Sequence, residues 1–264
     1  DTLTRRYGGR RGVEGLSLQV GEGELFGFLG PNGAGKTTTV RVLLRLLRPT
    51  SGTARILGLD CWRDGKSIKR DLGHLPGDLR LSAWMHGENA LAIYGAVRGC
   101  DLMRSGRELA GRFDLDLRVK VRDMSRGMRQ KLGLILAFAH SPRLLILDEP
   151  SSSLDPLMQQ ILHGLLRQLA AQGRTIFFSS HSLNEVEALC DRVAILRDGQ
   201  LVANEPLAAL RARAQHEVLI RWRDHTSAAQ FTPPAFLKLT RCEGALWQAT
   251  LDGPAHHLVD FLAG

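Results

Sequence analysis

The sequence is poor in cysteine, and its four cysteines lie far apart. Cys61, Cys100, Cys190 and Cys242 are at least 39 positions from one another, and none belongs to a Cys-x-x-Cys pair. Disulfide scaffolds and zinc ribbons rely on closely spaced cysteines, so the sequence argues against both. The spacing is typical of a protein from a reducing cytosol.

Long apolar runs are also missing. No stretch of 18 consecutive apolar residues occurs, so we expect this chain to have no membrane-spanning helix. The first 20 residues are basic, but they lack the apolar stretch of about 7–15 residues that a signal peptide requires. The sequence therefore predicts neither a membrane anchor nor a secretory leader.

What remains has the composition of a globular protein. The chain has 264 residues, of which 44% are hydrophobic and 23% are charged, which is close to the average for soluble domains. A chain of this length predicts one large domain or two smaller ones.

Acidic residues are outnumbered by basic ones. The chain has 35 basic and 27 acidic residues, which gives a net charge of +8. This balance fits nucleic acid, an anionic membrane surface or phosphorylated ligands as partners. A composition bias towards arginine is the alternative explanation, because 29 of the 35 basic residues are Arg.

The first 50 residues indicate short strands that lead into one helix. Leu16, Leu18 and Val20 alternate with polar residues, which indicates a short strand. The apolar run Leu25–Leu29 is bounded by glycine and indicates a buried strand. Apolar residues then recur at helical spacing until Pro49, where we expect the helix to end.

The rest of the chain predicts a helical insert in an α/β frame. Residues 80–140 carry helical patterns and few β-branched residues. Strands and helices then alternate, with strands at Leu144–Leu147, Thr175–Ser179 and Val193–Leu196 and helices at 157–171 and 183–190. Such alternation predicts a mostly parallel sheet with helices on its faces.

The last 60 residues have a different pattern of helix and strand signals, which predicts a small appended α+β unit. The signals are Pro206 for a short helix, alternating Val218, Ile220 and Trp222 for a strand, two strands flanking Glu243 and Gly244, and Pro254 for a last helix. The unit has no motif that indicates a chemical role, and a packing cap or a dimer brace would explain it.

A glycine-rich segment follows the strand Leu25–Leu29. Its residues fit the pattern Gly-x4-Gly-Lys-Thr and are Gly30, Pro31, Asn32, Gly33, Ala34, Gly35, Lys36 and Thr37, followed by Thr38. Between an apolar strand and an amphipathic helix, such a loop wraps its backbone N–H groups around a polyphosphate. We expect Lys36 to reach the β- and γ-phosphates and the Thr37 hydroxyl to bind Mg²⁺.

Two acidic residues follow the apolar strand Leu144–Leu147. Carboxylates at the end of a buried strand are unfavourable unless a ligand uses them, and open α/β sheets bind ligands at that edge. In a phosphoryl-transfer site, we expect Asp148 to hold Mg²⁺ and Glu149 to polarise the attacking water.

These segments together resemble the ATP-binding subunit of ABC transporters. Ser125, Arg126, Gly127 and Met128 are similar to the family's signature segment, and they lie 23 residues before Asp148. The segment from Ser152 to Asp155 resembles the D-loop, His181 resembles the switch histidine, and Tyr7 resembles the aromatic residue that stacks on adenine. The resemblance covers about residues 2–205.

The resemblance implies a fold and a domain division. It implies a P-loop NTPase (RecA-like) core with an antiparallel β subdomain and a helical subdomain. The ATPase domain would then span residues 1–205, with the helical subdomain at about 80–140. Residues 206–264 would form a small C-terminal α+β accessory domain.

The resemblance also implies how ATP is bound and hydrolysed. Two such domains pair head to tail, and each ATP lies between the phosphate loop of one subunit and the signature segment of the other. Tyr7, the phosphate loop to Thr38, Ser125–Met128 and Asp155 would contact the nucleotide. Glu149 and His181 would be catalytic, with Thr37 and Asp148 at the Mg²⁺.

Three positions depart from the family pattern. Arg126 stands where the signature segment usually has its first glycine. Gly77, followed by Asp78, stands where the family has the glutamine of the Q-loop. Only six residues precede Tyr7, so we expect the family's first strand to be shortened.

The spacing of the motifs and the length of the C-terminal tail narrow the choice among the classes of ABC protein. Lys36 and Ser125 are 89 residues apart, which excludes the long coiled-coil insertion of the DNA-repair relatives. One ATPase domain with a short tail most resembles bacterial ABC-2-like exporter subunits, which bind a separate membrane permease at the cytoplasmic face of the membrane. A soluble ATPase that acts as a regulatory or resistance factor is the alternative.

The position of the excess charge narrows the choice of partner. Residues 98–143 have 11 basic and 5 acidic residues, whereas residues 206–264 have a net charge of +1. In the family, the first region faces ATP and the membrane subunit, so nucleic acid is not expected as a ligand. The sequence does not identify the cargo or whether the second ATPase subunit is a copy or a paralogue.

Overall fold

The computed structural model describes residues 1–8, 10–213, 215–222 and 232–252. Its strands are β1 Leu3–Tyr7, β2 Arg10–Leu16, β3 Leu25–Leu29, β4 Arg55–Ile56, β5 Leu59–Asp60, β6 Leu72–Leu75, β7 Leu144–Asp148, β8 Thr175–Ser180, β9 Arg192–Arg197, β10 Gln200–Pro206, β11 Gln215–Arg221, β12 Leu237–Glu243 and β13 Leu246–Asp252. Its helices are α1 Lys36–Leu43, α2 Gly65–Ile68, α3 Gly87–Arg98, α4 Met103–Arg112, α5 Arg126–Phe138, α6 Pro156–Ala171, α7 Leu183–Leu189 and α8 Leu207–Arg213, with a short 3-10 helix at Val121–Asp123.

The apolar runs lie side by side in a six-stranded sheet. The strand order is β10-β9-β3-β8-β7-β6, and β6, β7, β8, β3 and β9 pair in parallel. Phe26 and Phe28 of β3 face Phe177 of β8, with ring centroids 5.9 and 5.0 Å apart. Parallel strands buried on both faces explain why these segments are continuously apolar.

This sheet order places several loops at one edge. Strands β3, β7 and β8 are neighbours and run in parallel, so their carboxyl ends meet there. The loops after them carry the glycine-rich segment, the acidic pair and His181. The carboxyl edge of a parallel sheet is where α/β proteins bind ligands.

In the first unit, two small antiparallel sheets form outside the six-stranded sheet. β1 pairs with β2, and β4 pairs with β5, in two small two-stranded sheets. Three helices, α3, α4 and α5, contact one another between β6 and β7 in sequence. The predicted combination of a parallel core, antiparallel strands and a helical region is thus present.

Two sequence expectations near the N-terminus are wrong. No strand forms at Leu18 and Val20, because β2 ends at Leu16, which faces Leu3 at the start of β1. Leu18 and Val20 pack against the hydrophobic core instead. The first helix ends at Leu43 rather than at Pro49, because Arg45 adopts a left-handed φ of 58° that turns the chain.

The chain divides into two compact units, Asp1–Asn204 and Glu205–Gly264. In the second unit, β11, β13 and β12 form an antiparallel sheet in that order. Leu237, Ala249 and Leu251 form its small core. The helix predicted from Pro254 lies outside the described residues. Over the described ranges, no helix has both the length and the apolar character needed to cross a bilayer.

Candidate nucleotide site

The glycine-rich loop joins β3 to the N-terminus of α1. Gly35 has a φ of 107°, which side chains disfavour, and an added Cβ would lie 2.5 Å from the Gly12 carbonyl oxygen. Glycine is therefore required here by both the backbone conformation and the close approach. The first turn of α1 has no acidic residue, so the loop leaves its helix N-terminus available to an anion.

Lys36 is buried at the centre of this loop, with 6% of its surface exposed. Its Nζ atom donates to the carbonyl oxygens of Gly30 at 2.5 Å and Pro31 at 3.3 Å. The same atom lies 3.2 Å from Oε1 of Glu149. A buried ammonium group needs such partners, and they hold it among the backbone groups of the loop.

Thr37 and Asp148 meet although they are 111 residues apart in sequence. The Thr37 hydroxyl donates to Oδ2 of Asp148 at 2.8 Å, and the Ser179 hydroxyl donates to Oδ1 at 2.5 Å. Asp148 is 2% exposed. Hydroxyl and carboxylate oxygens are the ligands that Mg²⁺ prefers, so Thr37 and Asp148 have the chemistry that would hold a magnesium ion.

Glu149 and His181 form the second contact at this edge. Nδ1 of His181 lies 2.6 Å from Oε2 of Glu149, and an ionised carboxylate only accepts, so the imidazole donates through Nδ1. Glu149 has a left-handed φ of 52°, and Gln130 of α5 donates to its carbonyl oxygen at 3.2 Å. The carboxylate is thus held between an imidazole and the lysine.

A cleft of about 190 Å³ joins Lys36, Thr37 and Glu149 to Tyr7. The Tyr7 hydroxyl lies 3.5 Å from the Thr38 hydroxyl, and the ring is 41% exposed with the Arg5 guanidinium 5.0 Å from its centroid. The cleft is lined by Tyr7, Gly12, Pro31, Asn32, Gly33, Gly35, Lys36, Thr37, Thr38 and Glu149. Ala34, by contrast, is buried and supports the loop through its backbone.

A larger cavity of about 500 Å³ lies elsewhere in the first unit, between its N-terminal strands and the central sheet. Its lining includes Leu3, Leu16, Ile146 and Phe177 and none of the residues from Gly30 to Thr38. We assign nucleotide binding to the smaller cleft, because that cleft contains the phosphate loop and the carboxylate.

The signature-like segment starts α5. Ser125 is the N-cap residue, and its hydroxyl accepts from the Met128 N–H at 3.1 Å. Arg126 is exposed in the first turn, and an added Cβ at Gly127 would lie 2.8 Å from the Ser153 carbonyl oxygen. The segment therefore packs against the loop that follows Glu149, and it does not line the cleft of its own subunit.

Asp155 lies in the same loop and caps the next helix. Its Oδ1 atom accepts from the Met158 N–H at 2.9 Å, so Asp155 is the N-cap residue of α6. Like Ser125, it does not line the cleft. Both predicted nucleotide contacts would have to be made to a nucleotide held by another subunit.

The comparisons with known proteins agree with this geometry. The ABC transporter family matches residues 13–152, a range that includes the phosphate loop, the signature-like segment and the acidic pair. The chain belongs to the ABC transporter family. Its first unit is an ATP-binding cassette with the P-loop NTPase fold, and it is an ATPase domain.

Two relatives show how far the similarity of this ABC protein extends. The chain is 36% identical to the bacitracin transport ATP-binding protein of Bacillus licheniformis, over 86% of this chain and 75% of that protein. It is 34% identical to the daunorubicin/doxorubicin resistance ATP-binding protein of Streptomyces peucetius, over 86% of this chain and 71% of that protein.

Solved structures give the same fold. The structure of an ATP-binding subunit of an ABC transporter superposes with a TM-score of 0.74 at 29% identity, covering 80% of this chain and 90% of that one. A dimeric cassette in a post-hydrolysis state with ADP and Pi gives a TM-score of 0.71 at 22% identity, covering 78% and 96%. The second likeness supports the fold alone.

One departure from the ABC pattern has a clear structural setting. Gly77 follows β6, and an added Cβ there would lie 3.3 Å from Oδ2 of Asp148. The position thus faces the predicted Mg²⁺ ligand, although glycine presents no amide to it. In this structure the Asp78 carboxylate does not take the place of the Q-loop glutamine, because it is 75% exposed and is bonded to Arg80 at 2.9 Å.

Three hydrogen bonds around the site of this ABC cassette were missed by sequence reasoning. Ser179 donates to Asp148, and Glu185 accepts from both Ser151 and Ser180. A polar residue at the end of a buried strand was the available signal for Ser179 and Ser180. No local signal marked Glu185, which lies in an ordinary polar first turn of α7.

Proposed function

We propose that this chain is the energy-coupling ATPase subunit of an ABC exporter. The observation that carries the proposal is a set of contacts at the carboxyl ends of neighbouring strands: Lys36 contacts Glu149, Glu149 contacts His181, and Thr37 bonds Asp148. The relatives support the direction of transport, because they are named for bacitracin transport, daunorubicin resistance and Nod factor export.

In this proposal, the residues divide the work of ATP binding. Tyr7 stacks on the adenine, the loop from Gly30 to Thr38 wraps the phosphates, and Lys36 neutralises the β- and γ-phosphates. Thr37 and Asp148 hold Mg²⁺, which supplies charge neutralisation on the phosphate oxygens when it is bound. The second subunit adds Ser125, Arg126, Gly127, Met128 and Asp155 across a head-to-tail dimer.

Hydrolysis uses the pair at the carboxyl ends of β7 and β8. Glu149 accepts a hydrogen bond from the attacking water and orients it towards the γ-phosphate. His181 donates through Nδ1 to Glu149, which holds the carboxylate in place. The loss of the γ-phosphate removes the charge that joins the loop of one subunit to the signature segment of the other, and the dimer reopens.

The proposed assembly includes a separate transmembrane permease and a second ATPase subunit, either a second copy or a paralogue. The chain would then act at the cytoplasmic face of the membrane through its permease. The family membership, and the name of the bacitracin transport ATP-binding protein among the relatives, support this placement. The cargo would be selected by the permease.

Co-purification from membranes tests the coupling role. The tagged chain is expressed with its neighbouring genes, solubilised in mild detergent and captured, and the bound proteins are identified by mass spectrometry. We expect an integral membrane protein with about six predicted spans, and we expect ATP hydrolysis by the complex to respond to transported compounds. Recovery of the ATPase alone from membranes that contain the candidate permease would instead favour a soluble regulatory or resistance factor.

A further inference from the structure

Glu185 accepts two short hydrogen bonds from serines on different segments, Ser151 in the loop after β7 and Ser180 at the end of β8. Its Oε1 atom lies 2.5 Å from the Ser151 hydroxyl, and its Oε2 atom lies 2.6 Å from the Ser180 hydroxyl. Ser151 is 2% exposed and Ser180 is fully buried. Short hydrogen bonds from buried hydroxyls to an ionised carboxylate are the stronger kind.

The two serines are the near neighbours of the proposed catalytic pair. Ser151 follows Glu149 by two residues, and Ser180 directly precedes His181. Glu149 and His181 are themselves joined at 2.6 Å. A closed ring therefore forms from the segments 149–151 and 180–181, the Glu149–His181 contact and the two bonds to Glu185. In this ring, Glu185 lies opposite the contact between Glu149 and His181.

The helix that carries Glu185 is held firmly against the sheet. An added Cβ at Gly27 of β3 would lie 2.6 Å from Cγ1 of Val186, so α7 and β3 are in close contact. Val186 is fully buried and lies next to Glu185 in α7. The carboxylate is thus fixed by a rigid element rather than by a loop.

We infer that Glu185 is a positioning residue for ATP hydrolysis. It holds the loops after β7 and β8 at the separation that lets Nδ1 of His181 bond Oε2 of Glu149. A carboxylate suits this task because it accepts from two hydroxyl donors at once, whereas an amide offers one acceptor. The inference rests on the catalytic role proposed for Glu149 and does not depend on the permease.

Steady-state ATPase kinetics on the purified full chain test the inference. Removal of a group that orients catalytic residues commonly lowers activity by about 10–100-fold. We expect Glu185→Ala to lower kcat within this range and to leave the KM for ATP within about twofold, because the phosphate loop is untouched. Glu185→Gln keeps one acceptor and is expected to recover part of the lost kcat.

Glu187→Gln is the matched control, since it removes one negative charge from the same helix. We expect it to keep kcat near that of the unchanged protein. An equal fall in kcat for Glu187→Gln and Glu185→Gln would mean that the charge of α7 matters and not the two serine bonds. A fall in ATP binding that matches the fall in kcat for Glu185→Ala would mean a general structural role.

Serine variants keep the test decisive if Glu185→Ala does not fold. Ser151→Ala removes the bond to Glu185. Ser180→Ala removes the bond to Glu185 and also the bond that the Ser180 hydroxyl accepts from the Ser182 N–H at 2.9 Å. Each variant is expected to lower kcat several-fold. If the ring acts as a unit, the effects of the two substitutions are not independent. The kcat of the double variant should then be close to that of the slower single variant. Independent, multiplying effects, or normal kcat in both single variants, would overturn the inference.

Failure of this inference is distinguishable from failure of the base assignment. Glu149→Gln tests the base itself, whereas the serine variants leave Glu149 unchanged. Normal turnover in Glu149→Gln would reject the proposed base, and so the reason for positioning it. Lost turnover in Glu149→Gln with normal turnover in both serine variants would reject only the role of Glu185.

Discussion

At the scale of single residues, Glu149 combines a strained backbone with the chemical role proposed for it. Its φ of 52° is in the left-handed region, where a side chain destabilises the backbone by about 1–2 kcal/mol. The conformation is held by contacts with Lys36 and His181 and by Gln130, which donates to the Glu149 carbonyl oxygen. Arg45 has a similar φ where it only turns the chain after α1, so it is the contacts with Lys36 and His181 that connect the conformation of Glu149 with the proposed chemistry.

Replacement of Glu149 by glutamine should separate binding from hydrolysis. Glutamine has nearly the same shape but cannot accept a proton from water, so we expect Glu149→Gln to lower ATP turnover by about 10²–10⁴-fold. ATP-dependent association of two subunits should survive, because the phosphate loop and signature segment are unchanged. Phosphate release and size-exclusion chromatography with ATP measure the two properties.

Glu108→Gln is a suitable control for this variant. Glu108 is exposed on α4 and pairs with Arg104 at 3.2 Å, away from the cleft. We expect normal turnover from it. If Glu149→Gln hydrolyses ATP as fast as Glu108→Gln, another group activates the water.

At the scale of elements, helix N-termini surround the loops of the site. Lys36 begins α1, Ser125 caps α5 and Asp155 caps α6. The caps matter because the first N–H groups of a helix have no partner within it. Ser125 and Asp155 therefore have a local structural task in addition to any contact with a nucleotide across a dimer.

Two substitutions of Asp155 separate these tasks. Asparagine caps helices about as well as aspartate, so we expect Asp155→Asn to keep the free energy of unfolding within a few tenths of a kcal/mol. Asp155→Ala loses the bond from the Met158 N–H and should lower that free energy by about 1 kcal/mol. Urea unfolding measures both, and equal stability of the two variants would contradict the capping role.

The parts of the site that sequence reasoning found are those with a local pattern. The phosphate loop needs glycines, a lysine and a threonine within eight residues, and the acidic pair directly follows an apolar strand. Glu185 has no such pattern, because its partner Ser151 is 34 residues away. The two meet only because β7 and β8 are neighbours in the sheet, and strand order is not visible in local spacing.

The two errors near the N-terminus have the same physical origin. Apolar alternation at Leu18 and Val20 reflects burial against the core, and burial alone does not supply a paired strand. Helical spacing up to Pro49 likewise continues through Leu44 and Leu47, which pack against the core after α1 has ended. Periodicity records which residues are buried, whereas hydrogen-bond partners decide the element.

At the scale of the whole molecule, charge is divided unevenly along the chain. Residues 41–71 have eight basic and three acidic residues, so they form a second basic segment besides residues 98–143. Residues 144–205 have four basic and eight acidic residues. This acidic segment contains Asp148 and Glu149, so the net charge of +8 coexists with a locally acidic edge at the proposed catalytic pair.

Stability should depend on pH through His140. Burial and the nearby guanidiniums of Arg98 and Arg174 lower the pKa of His140 to about 4, although its ring bonds the Leu72 carbonyl oxygen at 3.1 Å. The unfolded chain, with a pKa near 6.5, binds the proton more readily than the folded one. The free energy of unfolding should therefore fall as pH drops from about 6.5 to 4, by up to about 1.4 kcal/mol per pH unit.

Replacement of His140 by glutamine should flatten this dependence. Glutamine can still donate to the Leu72 carbonyl oxygen but does not titrate, so we expect a smaller slope for His140→Gln. Urea unfolding at several pH values between 4 and 7 measures it. His86→Gln, at a partly exposed histidine that is the N-cap residue of α3 and contacts Asn89, serves as the control, and equal slopes in both variants would assign the pH dependence to other groups.

The contact between α5 and the loop after β7 has a consequence for the two ATP sites of a dimer. Gln130 of α5 donates to the carbonyl oxygens of Glu149 and Pro150 at 3.2 and 3.0 Å, and Gly127 approaches the Ser153 carbonyl oxygen closely. In a head-to-tail pair, the N-terminus of α5 would contact the nucleotide held by the other subunit, while the loop after β7 would contact the nucleotide held by its own subunit. Thermodynamic linkage then makes the coupling reciprocal. The factor by which ATP at the first site changes the affinity of the second site for ATP must equal the factor by which ATP at the second site changes the affinity of the first.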